Sequence, residues 1–130
     1  MSKDLLLKIY QTAKEKQIID EEFLTFLESV FPDKSATVIE VIKRGITKYV
    51  YTPSNRIVWT AKGKNQEHMI YPQLYCSCQD FYKNVVVKRK RDFCKHILAQ
   101  IISEALRRYK LEKVKDQHFN NLIKDFKLKV

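Results

Sequence analysis

Glycine and proline are scarce in this chain of 130 residues, with two of the first and three of the second. That scarcity excludes collagen-like, linker-like and low-complexity organisation. No internal repeat is visible, which excludes a solenoid or a propeller. No apolar run approaches the roughly 18 residues that span a bilayer. The opening stretch, MSKDLLLKIYQTAKEKQ, holds an apolar run of only three residues before Lys8. It reads as neither signal peptide nor anchor, and no membrane partner is expected. Gly-rich phosphate loops, paired carboxylates and nucleophile motifs are missing too, so the chain is not expected to be an enzyme. Acidic residues are in deficit: 15 Asp+Glu face 25 Lys+Arg, for a net charge of +10. That excess favours nucleic acid, anionic lipid or an acidic protein as partner.

What is present fits one globular domain spanning residues 1–130, with an ordinary apolar fraction of 45%. The expected location is intracellular, cytoplasmic in a prokaryote and nuclear in a eukaryote. There thiols stay reduced, and cysteines serve as metal ligands or catalysts more often than as disulfides.

Periodicity divides the chain. Leu5, Leu6, Ile9 and Ala13 have helical spacing. Asp20 is placed to cap a second helix carrying Phe23, Leu24, Phe26, Leu27 and Val30, which ends at Phe31-Pro32. Ser35 is expected to cap a third, with Val38, Ile39 and Ile42 inward and Gly45 closing it. From Ile46 the residues turn β-branched and aromatic. Strands are expected over 46–52, 56–61, 66–71 and 74–76, joined as an antiparallel meander. Helices should follow over 79–86, 95–109 and 116–127. Helices, a small sheet, then helices again make the expected class α+β.

All three cysteines fall within Cys76–Cys94, as Cys76-Ser-Cys78, fifteen residues, then Cys94-Lys-His96. Two close pairs of soft or borderline ligands separated by a loop are the sequence form of a structural Zn²⁺ site. On an extended strand residues i and i+2 share a side, so Cys76 and Cys78 at a strand end can aim at one ion. On a helix they would diverge by roughly 200°. Cys94 should therefore precede a helix, near its N-cap, with His96 in the first turn. A Cys76–Cys78 disulfide, a catalytic cysteine with His96 as base, and plain core residues are the competing readings. His68 and His118 lie outside the motif and read as ordinary, partly exposed histidines.

Cys76-x-Cys78 followed by Cys94-x-His96 and Ala99 resembles the SWIM-type zinc finger, whose pattern is C-x-C, a variable loop, then C-x-H. The resemblance is most specific over 75–106, within a finger placed at 72–106. The alanine three places after the histidine resembles the form found in small SWIM proteins of Shu-type complexes, which accompany RecA-family recombinase paralogues. The resemblance implies a zinc-binding accessory protein of homologous recombination or DNA repair. Its partners would be a RecA-family ATPase and DNA, with single-stranded DNA one form it could take. The competing function is a stand-alone zinc-finger DNA-binding regulator with no obligate partner.

The segment between and beside the ligand pairs carries Lys83, Lys88, Arg89, Lys90, Arg91 and Lys95. Cations near a Zn²⁺ with three thiolates offset its net charge of −1, and one or two suffice for that. Six exceed the need and are read as contacts to nucleic-acid phosphates or to an acidic partner. Tyr49 and Tyr51 could form a stacking platform for bases, but core is the preferred reading. Phe81 and Phe93 are expected to pack over the metal. Leu6 and Ile9 near one end, and Phe119, Leu122 and Phe126 near the other, are offered as partner-docking stripes.

Overall fold

The structure is a computed structural model that describes residues 2–63, 66–72, 74–90 and 93–118. Three helices open the chain: α1 (Ser2–Lys16), α2 (Glu21–Val30) and α3 (Ser35–Arg44). Strands β1 (Ile46–Thr52), β2 (Arg56–Lys62), β3 (Glu67–Tyr71) and β4 (Tyr75–Cys76) follow. A π-helical segment (Phe81–Val87) leads to α4 (Lys95–Leu106), then β5 (Lys110–Lys115) and a 3-10 turn (Asp116–His118). The class is α+β, as the sequence implies.

Local chemistry explains most boundaries. Asp20 caps α2 by accepting the Phe23 N–H at 2.8 Å. That bond is the main reason its carboxyl sits below the ordinary carboxylate range. A group depressed in this way stabilises the fold above its unfolded value, and the contribution is lost as pH falls through the folded one. Gly45 closes α3 at φ +120, with its N–H on the Val41 carbonyl at 3.2 Å. A Cβ there would meet open space, so backbone conformation alone demands glycine. Gly45→Ala should cost about 1–3 kcal/mol. A urea midpoint equal to that of the unmutated chain would refute this.

Ser35 does not cap α3. Lys34 holds that position without a side-chain bond, and Ser35 is the first helical residue. Its hydroxyl donates instead to Glu28, which also accepts the Asp33 N–H, so two helices are tied by one carboxylate. The helix expected over 95–109 stops at Leu106, because Arg107 adopts a left-handed conformation. The Arg108 N–H then reaches back to the Ser103 carbonyl at 2.9 Å, a turn closed more often by glycine or asparagine. The segment expected as an ordinary helix over 79–86 widens to a π-helix, with the Lys88 N–H bonded to the Lys83 carbonyl. Of the helix expected over 116–127, Asp116–His118 is a 3-10 turn, and residues 119–127 lie outside the described residues, with Phe119, Leu122 and Phe126 among them.

The sheet order is β4-β3-β2-β1-β5. The first four strands form the expected antiparallel meander, and β5 adds to β1 in parallel, Val114 facing Tyr51. All four helices join one core with Ile46, Trp59, Ala61 and Ile70 of the sheet. Helix α4 runs through that core, buried at every residue from His96 to Ser103. The opposite face carries a smaller cluster of Tyr51, Val58 and Met69, with Tyr49 and Val114 against it. Tyr51 is thus core, and the tyrosine pair of β1 packs against side chains of its own sheet.

Leu6 and Ile9 are only 2% and 0% exposed. They belong to the central core and present no docking stripe, which corrects the expectation for this end of the chain. Apolar spacing on a helix marks an inward face, and here α4 occupies that face.

Candidate metal centre

Cys76 ends β4, paired with Ile70 of β3. Ser77 prolongs the pairing: its N–H donates to the Met69 carbonyl at 3.0 Å, and its hydroxyl accepts the Met69 N–H at 2.9 Å. With Ser77 held in extended register, Cys76 and Cys78 turn to the same side of the sheet, towards the helices. Cys94 is the N-cap of α4, extended at φ −108 and ψ 173, and His96 is the second helical residue. Both placements match the expectation from spacing.

The ligand atoms of Cys76, Cys78, Cys94 and His96 all lie within 4.8 Å of one another, and all four residues are buried. Cys94 Sγ stands 3.9 Å from His96 Nδ1. Tetrahedral coordination with Zn–S bonds near 2.3 Å places neighbouring donors roughly 3.8 Å apart, so the donor set fits Zn²⁺. The Phe81 N–H donates to Cys78 Sγ at 3.3 Å. Phe81 and Phe93 are buried beside the site, Phe93 against Phe31 at 5.6 Å between ring centres.

The protonation pattern follows from crowding three thiols in one pocket. Hydrogen bonds from Cys76 and Cys94 drive the Cys78 thiol well down. The bond to Cys78 drives Cys76 up, and burial pushes Cys94 up to about 12. Three thiols crowded in one buried pocket oppose one another's ionisation, and a divalent cation is what allows three thiolates there. Cys76, Cys78 and Cys94 carry no disulfide.

The chain is 33% identical over 121 residues to the Zinc finger SWIM domain-containing protein 7 homolog of Dictyostelium discoideum, across 91% of this chain and 78% of that protein. The chain belongs to this family of SWIM-type zinc finger proteins. It is also similar to Zinc finger SWIM domain-containing protein 7 of Mus musculus, 28% identical over 92% of this chain and 80% of the relative. The Homo sapiens protein of that name is 26% identical over 92% of this chain and 87% of the relative. No family model matches the chain, and no solved structure matches it. Zn²⁺ is therefore the metal of the finger, on both the family and the Cys₃His donor set.

Around the SWIM finger the other expected site residues separate. Lys83, Lys88, Arg89 and Lys90 are exposed and Lys95 is half-buried, whereas Arg91 lies outside the described residues. A cavity of about 590 Å³ opens over the finger, lined by His68, Tyr75, Tyr82, Lys83, Lys95 and His96 among others. His118 is exposed, as expected. His68 is not in the four-donor cluster, but its ring packs on that of ligand His96, 4.6 Å between centres. Sequence reasoning missed this stacking. The one available signal was the parity of β3: His68 shares a face with buried Ile70, two residues on.

Proposed function

We propose that this SWIM protein is an accessory factor of homologous recombination or DNA repair. In this reading zinc holds the fold, the cationic face of the finger contacts DNA, and a RecA-family ATPase is the partner. The zinc is structural in this reading and takes no part in catalysis, since four protein ligands fill a tetrahedral ion and leave no position for water or substrate. The observation that carries the reading is the face beside the finger. Lys83, Lys88, Arg89, Lys90 and Lys95 surround the segment between the ligand pairs, and the ion pairs among the described residues engage other lysines and arginines. Exposed Tyr75, Tyr82 and Val86 adjoin them. Cations free to meet phosphates, with aromatic rings free to stack on bases, suit single-stranded nucleic acid.

The ATPase partner is supported by the resemblance through Cys76, Cys78, Cys94, His96 and Ala99, and by the lack of a phosphate loop in the chain. In this reading its docking surface is made of the exposed apolar side chains of Tyr71, Leu74 and Val87. No described helix is long and apolar enough to cross a membrane. The relatives are eukaryotic, which makes the nucleus the expected compartment.

Two measurements test this. Neutralising Lys88, Arg89 and Lys90 together should weaken single-stranded DNA binding. It should also flatten the log–log salt dependence by about 0.7 for each phosphate that is no longer neutralised. Unchanged binding and slope would remove DNA from the role of this face. Co-expression with RecA-family paralogues of the same organism, followed by size-exclusion chromatography, should give a joint peak that Leu74→Glu disrupts. A chain that elutes alone with every paralogue, while binding duplex DNA in a sequence-specific way, is instead a stand-alone regulator.

A further inference from the structure

Three of the four zinc ligands are fixed by the backbone around them. Cys76 is paired within the sheet, Cys78 accepts a backbone N–H, and Cys94 is clamped at the start of α4. His96 differs, because it reaches the cluster through a longer side chain from the first turn of α4. Its ring is set by two side-chain torsions where a cysteine sulfur is set by one, so its orientation depends on what packs against it. Against that ring lies the imidazole of His68, at 4.6 Å and an interplanar angle of 42°. His68 stands on the helix-facing side of β3, half-buried. The same cavity is lined by His68, His96, Cys76 and Cys78, so competing ligands approach the finger past these side chains.

A second observation points to the same pair of rings. Gly63, in the turn from β2 to β3, is one of only two glycines in the chain. A Cβ at Gly63 would stand 3.1 Å from His68 Nε2 and 2.7 Å from the Gln66 carbonyl oxygen. The closer of these contacts is with the Gln66 carbonyl, which also accepts the Gly63 N–H at 2.7 Å, and the same missing side chain leaves room for the His68 imidazole against Gly63.

We infer that His68 is a positioning residue for the zinc finger: held beside Gly63 and stacked on His96, it keeps that ligand's ring oriented and slows loss of the metal. The inference rests on zinc occupying the Cys76–Cys78–Cys94–His96 cluster. Groups that orient metal ligands without touching the metal commonly change its affinity by about tenfold or more. Ring stacking is the interaction used here, and it does not require the second ring to be histidine.

The test follows zinc transfer from the full chain to a chromophoric chelator. His68→Ala should release zinc about tenfold faster than the unmutated protein. His68→Phe keeps a ring against His96 and should restore slow release. In cobalt-substituted protein, His68→Ala should shift the ligand-field bands while the thiolate-to-cobalt charge-transfer band persists, and His68→Phe should return the ligand-field bands to their unmutated positions. Gly63→Ala, which touches no ligand, should also speed release, and it serves if His68→Ala does not fold. Release from His68→Ala and Gly63→Ala at the unmutated rate overturns the inference, as does a His68→Phe variant as fast as His68→Ala. Failure of the zinc assignment itself is a separate result, visible as unmutated protein that carries no zinc by elemental analysis.

Discussion

Protein purified under reducing conditions without chelator should carry about one zinc per chain, and stripping that zinc should unfold it. The finger joins the β4 end of the sheet to α4, and α4 is the helix around which the core is built. A structural zinc contributes on the order of 10 kcal/mol of apparent binding energy, much of it realised as folding energy. Whole domains are stable by about 5–15 kcal/mol. Loss of the metal is therefore comparable to the entire stability of the chain. Cys78→Ser and His96→Ala should each lower the melting temperature by on the order of 15 °C or more, because about 4 kcal/mol corresponds to that shift in a domain of this size. Acid should act in the same direction. The metal must displace protons from Cys76 and Cys94, whose thiols are both raised, so its grip weakens as pH falls. Elemental analysis showing no zinc, or a chelated sample melting at the untreated temperature, would remove the metal from this account.

Ile9→Glu should abolish folding, whereas Leu7→Glu two residues earlier should leave stability within about 0.5 kcal/mol. Ile9 is fully buried in the core that α4 shares, while Leu7 is 49% exposed. Placing a carboxylate at Ile9 removes a packed side chain and buries an unpaired charge, a combined cost above about 4 kcal/mol. Urea unfolding followed by circular dichroism separates the two variants. An Ile9→Glu protein as stable as the unmutated one, defective only in binding a partner, would return α1 to the role of docking surface.

The zinc ligands were legible because their chemistry is local. The i, i+2 spacing of Cys76 and Cys78 suits a strand, and the same spacing at Cys94 and His96 suits a strand-to-helix junction, so each pair could be oriented before its partner was located. The cap at Asp20, the stop at Gly45 and the meander from Ile46 are similar cases, in which neighbouring residues alone carry the information. The rest depends on contacts between distant segments. Lys110–Lys115 has the lysine content of an exposed loop, and it becomes a strand because β1 offers a free edge some sixty residues earlier in the chain. The apolar stripe of α1 has one periodicity whether it docks on a partner or on its own core, and only the position of α4 settles that Leu6 and Ile9 face inward. The stacking of His68 on His96 likewise arises where β3 and the start of α4 meet, between residues with nothing in common in the sequence. Short-range spacing determines which side chains can share an ion or a face. Which face is covered, and by what, is decided by loop closure and packing over the whole chain.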